Sequence, residues 1–214
     1  MSLIFAMATF ALSMSISPGP VNLITLTSGI NYGFVRTLPF VAGASIGFSL
    51  LLLSLGLGFN LGFDYIPPSL MVVLQILGAL FIAYLGLKLM MSSAELEMNG
   101  KDSGKDSGKH ESLPSFSKGL LLQWLNPKAW IACLSGITAF QLSESMTLLM
   151  SFTTLYLIIC FFSISGWAAL GNKLKVLLKS ANHLMRFNQL MGLGLITIAG
   201  YLLFNPLLHA ALDI

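Results

Sequence analysis

The chain has 214 residues, of which 56% are hydrophobic and 9% charged, with a formal net charge of +3. Soluble domains carry about 25% charged residues, and a core closed in water cannot absorb so much apolar surface in so short a chain, whereas a bilayer can. The basic residues lie between apolar runs and do not interleave with aromatics, so the charge reports membrane orientation and not a nucleic-acid partner.

A membrane-crossing helix needs about 20 mainly apolar residues. The first such run is 3–28. No basic segment precedes its apolar stretch, so it is expected to persist as a helix and not to be removed as a signal peptide. It is interrupted at Ser17-Pro18-Gly19-Pro20. Pro18 and Pro20 lack N–H groups and Gly19 adds backbone freedom, so the helix opens and frees carbonyls of the preceding turn. In lipid such groups must be satisfied by protein or by water in a cavity. Pro18, Gly19, Pro20 and the nearby amide of Asn22 are therefore candidates for a binding or gating site. The alternative is a packing kink with an interhelical hydrogen bond.

The second run, 38–62, contains Gly43 and Gly47 in a G-x-x-x-G spacing, which reads as close packing within the chain. The third, 68–90, follows Pro67-Pro68, a helix-start signal. Between Ser92 and Ser117 the chain turns polar, with a repeated tetrapeptide from Lys101 to Lys109. That composition cannot bury a core, so 92–117 reads as a flexible cytoplasmic linker between a first half, 1–91, and a second, 118–214, of one transmembrane domain.

The fourth run, 118–140, is broken at Asn126-Pro127-Lys128. Ten residues from Lys118, Lys128 stands roughly 15 Å into the bilayer. A cation there costs at least about 2.5 kcal/mol unless it faces a cavity or a partner. Three readings are open: contact with a substrate or gate, snorkelling to an interface, or pairing with the carbonyls freed at the first break. Asn126 and Pro127 join it as candidates. Gln75, Tyr84, Gln123, Trp124, Trp130 and Trp167 are expected as core or interface anchors more than as path-lining groups. The fifth and sixth runs are 146–171 and 187–209. Cys133 and Cys160 both fall in apolar runs, and no metal-ligand or C-x-x-C spacing occurs, so neither a metal nor a disulfide is expected.

Ten of the 11 basic residues lie in or beside the first, third and fifth loops: Arg36; Lys88, Lys101, Lys105, Lys109 and Lys118; Lys173, Lys175, Lys179 and Arg186. The other loops and the tails carry only Asp64, Glu144 and Asp213. The bias puts the three basic loops in the cytoplasm and both termini outside. Three spans on each side of the linker would enter the membrane in opposite directions, as inverted repeats do. The matched breaks support this, as do Ser28-Gly29-Ile30 and Ser135-Gly136-Ile137 at equal offsets behind them. No carboxylate or histidine stands clearly at mid-membrane, so a carboxylate proton relay is not visible. No phosphate-cradling glycine motif is present, so ATP drive by this chain is not expected.

Together these residues resemble the LysE/RhtB family of bacterial amino-acid exporters. The resemblance rests on Pro18-Gly19-Pro20 with Asn22, Gly33-Phe34, Gly43 and Gly47, and the run Gly78 to Gly86. It continues through Asn126-Pro127-Lys128, Trp167 with Gly171, Asn188 to Gly192, and Gly200-Tyr201-Leu202. The stretches Ser28 to Phe34 and Ala42 to Phe48 are most similar to the cysteine and O-acetylserine exporters of that family. Val21 stands where the family often has Asn, and Phe81 where it often has Tyr. The resemblance implies an all-α integral membrane protein of six helices. It also implies a secondary transporter, not an enzyme, in the bacterial inner membrane, exporting a small amino acid by proton-linked exchange without a cofactor. A thiol–disulfide electron carrier would need cysteines in both broken helices. A metal-ion exporter would need ligand clusters that the sequence lacks.

Overall fold

The computed structural model describes residues 3–60, 68–91, 115–177 and 181–211, and these are helical with short connections and no strand. The helices are α1 Leu3–Ile16, α2 Pro20–Tyr32, α3 Phe34–Asn60, α4 Pro68–Met90, α5 Phe116–Trp124, α6 Pro127–Ala139, α7 Met146–Leu177 and α8 Ala181–Ala211. A 3₁₀ turn, Leu142–Glu144, joins α6 to α7. Helices α3, α7 and α8 are each long and apolar enough to cross a membrane, and α1 with α2, bent by 62°, makes a fourth such path. The described residues are all-helical, as in an α-helical membrane protein.

Both proline breaks expected from the sequence interrupt helices. Each proline that follows a break, Pro20 and Pro127, takes the first helical turn, where its missing N–H would have had no partner. Two boundaries differ from expectation. The loop expected from Asn31 to Arg36 contracts to Gly33, whose φ of 84° and N–H bond to Gly29 O end α2 in a single residue. The described part of the basic stretch 173–186 is helical, and exposed Lys175 sits in the last turn of α7, where a cation complements the helix dipole. The linker 92–117 lies outside the described residues as far as Pro114. Its last residues start α5, capped by Ser115 Oγ accepting from Lys118 N at 3.4 Å.

Apolar burial does not drive helices together in lipid, so the packing depends on close fit and polar contacts. Helix α3 lies against both α5 and α7, α1 and α2 lie on α7, and α4 runs along α8. Glycines form the seams. A methyl at Gly43 would strike the backbone of Phe116, one at Gly119 that of Phe40, and one at Gly47 that of Leu120. Gly29 and Gly171 do the same between α2 and α7, as do Gly86 and Gly192 between α4 and α8. The G-x-x-x-G pair thus packs within the chain. Gln75 adds polar glue, its Nε2 donating to Leu202 O at 2.9 Å.

These seams bring the starts of α3, α5 and α8 to the ends of α2, α4 and α7, so Arg36, Lys88, Lys118, Lys173, Lys175 and Arg186 gather at one end of the molecule. Toward the other end, near Glu144, the helices meet through rings. Phe48 stacks on Tyr156 at 4.1 Å, Tyr156 meets Phe152 edge-on at 5.6 Å, and Phe152 touches Phe140 and Phe10.

Candidate functional site

Ending α1 at a Ser-Pro-Gly-Pro sequence orphans its last carbonyls, and each finds a donor. Met14 O accepts from Ser17 Oγ at 3.2 Å, and Ser15 O from Asn22 Nδ2 at 3.0 Å. Ile16 O accepts from Trp167 Nε1 at 3.3 Å. Ser17 O accepts twice, from Asn22 Nδ2 at 2.8 Å and from Lys128 Nζ at 2.6 Å. The lysine also lies 2.6 Å from Ser17 Oγ. Buried backbone groups oblige such partners; those of the first break include a side chain from the second break, 111 residues away.

The second break has a different chemistry. Asn126 caps α6, its Oδ1 accepting from Lys128 N at 3.2 Å, while its Nδ2 lies 3.5 Å from Gln123 Oε1. Helix α2, by contrast, begins behind Gly19 with no side-chain cap. Its first N–H groups, left over as at any helix start, carry the positive end of the dipole. Lys128 reaches the same place: a Cβ built on Gly19 would lie 3.4 Å from Nζ. An uncapped helix N-terminus beside an ammonium group can hold an anion.

Between the breaks lies a cavity with about 40 Å³ of room for water centres, enough for about three waters. Ser15, Gly19, Asn22, Gln123, Asn126 and Lys128 form its polar side. Phe48, Ala132, Tyr156, Cys160 and Ile164 are among its other lining residues. The Ser15 hydroxyl is buried beside Tyr156 and Cys160.

Of the seven residues expected from the sequence, Gly19, Asn22, Asn126 and Lys128 line this cavity. Pro18, Pro20 and Pro127 do not; they shape the breaks. Of the three readings open for Lys128, the observed contact is pairing at the first break, with the freed carbonyl and the hydroxyl of Ser17. Asn22 makes the same kind of contact within its own span. Gln123 reaches the cavity, whereas Tyr84 is exposed on the outer surface and Trp130 donates to Trp124 O at 2.8 Å. Ser15, Phe48, Tyr156 and Cys160 were not singled out in the sequence as cavity residues, because each sits in an apolar stretch with nothing in its neighbours to show which way it faces. Among the described residues no group of histidine, cysteine or acidic side chains could hold a metal.

A family model for LysE type translocators matches residues 12–205, most of the chain and both breaks. Among similar proteins are the cysteine/O-acetylserine efflux protein of Escherichia coli (strain K12) and that of Shigella sonnei (strain Ss046). Each is 28% identical over 148 residues, covering 69% of this chain and 70% of the relative. No solved structure matches the chain.

Proposed function

The chain belongs to the LysE type translocator family, and from that premise we propose that it exports a small amino acid, of the cysteine or O-acetylserine kind, across the bacterial inner membrane. The observation that carries this reading is the contact between the breaks: Lys128 of one binds Ser17 of the other, and the cavity lies where they meet.

In this mechanism the substrate carboxylate binds between the uncapped start of α2 and Lys128. The lysine uses two N–H groups on Ser17 and has a third to offer. The substrate ammonium faces the oxygens of Ser15, Gln123 and Asn126, and its side chain lies toward Phe48, Ala132 and Cys160. A cavity sized for about three waters admits an amino acid only as the helices part, which fits a carrier that alternates between sides.

Six spans in two inverted halves, 1–91 and 118–214, support such a cycle. Exchanging the halves maps α1 and α2 onto α5 and α6, α3 onto α7, and α4 onto α8. The observed packing of α1 on α7 with α5 on α3, of α3 on α7 and of α4 on α8 maps onto itself in that exchange, whereas α2 lies far more extensively on α7 than α6 does on α3. The gathering of basic residues at one end favours a cytoplasmic placement of that end, with both termini outside. Proton-linked exchange is the coupling this reading adopts, as the family resemblance implies.

The test is uptake of labelled cysteine, O-acetylserine, threonine, homoserine and leucine into inside-out vesicles carrying a proton gradient. At least one is expected to accumulate, with cysteine or O-acetylserine foremost. Silence across the whole panel, with the protein present in the membrane, would sink the reading.

A further inference from the structure

The end of α1 is an electronegative place. Its carbonyls carry the negative pole of the helix, and Ser17 presents a carbonyl and a hydroxyl oxygen toward one point. No carboxylate accompanies them: among the described residues the one acidic side chain is Glu144, exposed in the turn before α7. In broken-helix transporters such carbonyl-bearing ends are where a coupling cation is held. Here the position is filled by Lys128 Nζ, at 2.6 Å from both oxygens, reaching across from α6. Gly19 leaves the room for it, since a Cβ there would lie 3.3 Å from Lys128 Cδ.

We infer that Lys128 is a tethered cation occupying a monovalent-cation site built from Ser17 O and Ser17 Oγ, so that the intact chain needs no free metal cation at this helix end. The site is latent: with the lysine shortened, it takes a small free cation, either a primary alkylammonium or sodium. The inference rests on the geometry of the break and stands whether or not the protein exports amino acids.

Lys128→Ala removes three methylenes and the ammonium, a fragment equivalent to propylammonium. The protein is purified in detergent and melted at constant chloride, with choline replaced stepwise by propylammonium, sodium or potassium, and separately with 1-propanol added. The variant is expected to melt below the wild type. It should regain most of that loss, saturably, in propylammonium or sodium, since a ligand bound only by the folded state raises its stability by mass action. The wild type should not respond, and adding Ser17→Ala to the variant should abolish the recovery. Recovery by 1-propanol equal to that by propylammonium, no recovery by any cation, or recovery that survives Ser17→Ala would overturn the inference.

If Lys128→Ala does not fold, Lys128→Arg and Lys128→Met decide the matter. The arginine variant is expected to melt near the wild type and the methionine variant well below it. Equal losses in the two would show that length and packing matter there, and not charge. Because the readout is melting, a silent vesicle panel leaves this result intact, and a failed rescue leaves the exporter reading intact.

Discussion

At the residue scale the two breaks depend on a few atoms. Lys128→Ala should abolish transport in the vesicle assay while the protein still reaches the membrane; transport at the wild-type rate would show that its ammonium does not serve the substrate. Asn22 closes two of α1's orphan carbonyls, so Asn22→Leu should cost about 1–3 kcal/mol, read as a lower melting temperature. The glycines divide by what surrounds them. Gly43→Ala places a methyl against the backbone of Phe116, which cannot rotate away, and should cost about 1–3 kcal/mol. Gly58→Ala meets nothing within 4 Å and should be neutral or slightly stabilising. Equal melting of those two variants would mean the glycine seams do not hold the helices. The breaks were legible in the sequence because proline and glycine act on the backbone directly, whatever surrounds them.

At the scale of elements, legibility falls. Helices α3 and α7 are apolar on every face, since lipid and protein interior both accept hydrocarbon. Periodicity therefore could not say that Phe48, Tyr156 and Cys160 face inward while Ile46, Ile158 and Phe162 face out. Ser15 escaped notice for a related reason: a lone hydroxyl in an apolar helix usually bonds its own backbone, as Thr9, Thr25 and Thr138 do. The α4–α8 pair shows which contacts matter at this scale. One hydrogen bond between membrane helices is worth on the order of 0.6 kcal/mol, so Gln75→Leu should lower the melting temperature little. Gly192→Leu, which would drive a side chain into Met90 and the backbone of Gly86, should separate α4 from α8 and sharply reduce folded protein in the membrane. A mild Gly192→Leu beside a severe Gln75→Leu would reverse that ranking.

For the whole molecule, charge placement carries the orientation. A cysteine placed at Lys175, at the exposed end of α7, should react with an impermeant thiol reagent only in inside-out vesicles. One at Ser145, before α7, should react only in intact cells or right-side-out vesicles. The native Cys133 and Cys160 are buried and give a low background. Labelling with the opposite sidedness would invert the proposed topology.

The two ends of the molecule are packed with different materials. On the basic side, main chain rests on main chain through Gly29, Gly43, Gly119 and Gly171, and nothing there opens unless whole helices slide apart. On the far side a stack of rings from Phe48 to Phe10, most of them buried, fills the space between the helices. In the alternating cycle proposed above, the glycine-backed basic side would be the one that opens only by helix displacement, on the microsecond-to-millisecond scale.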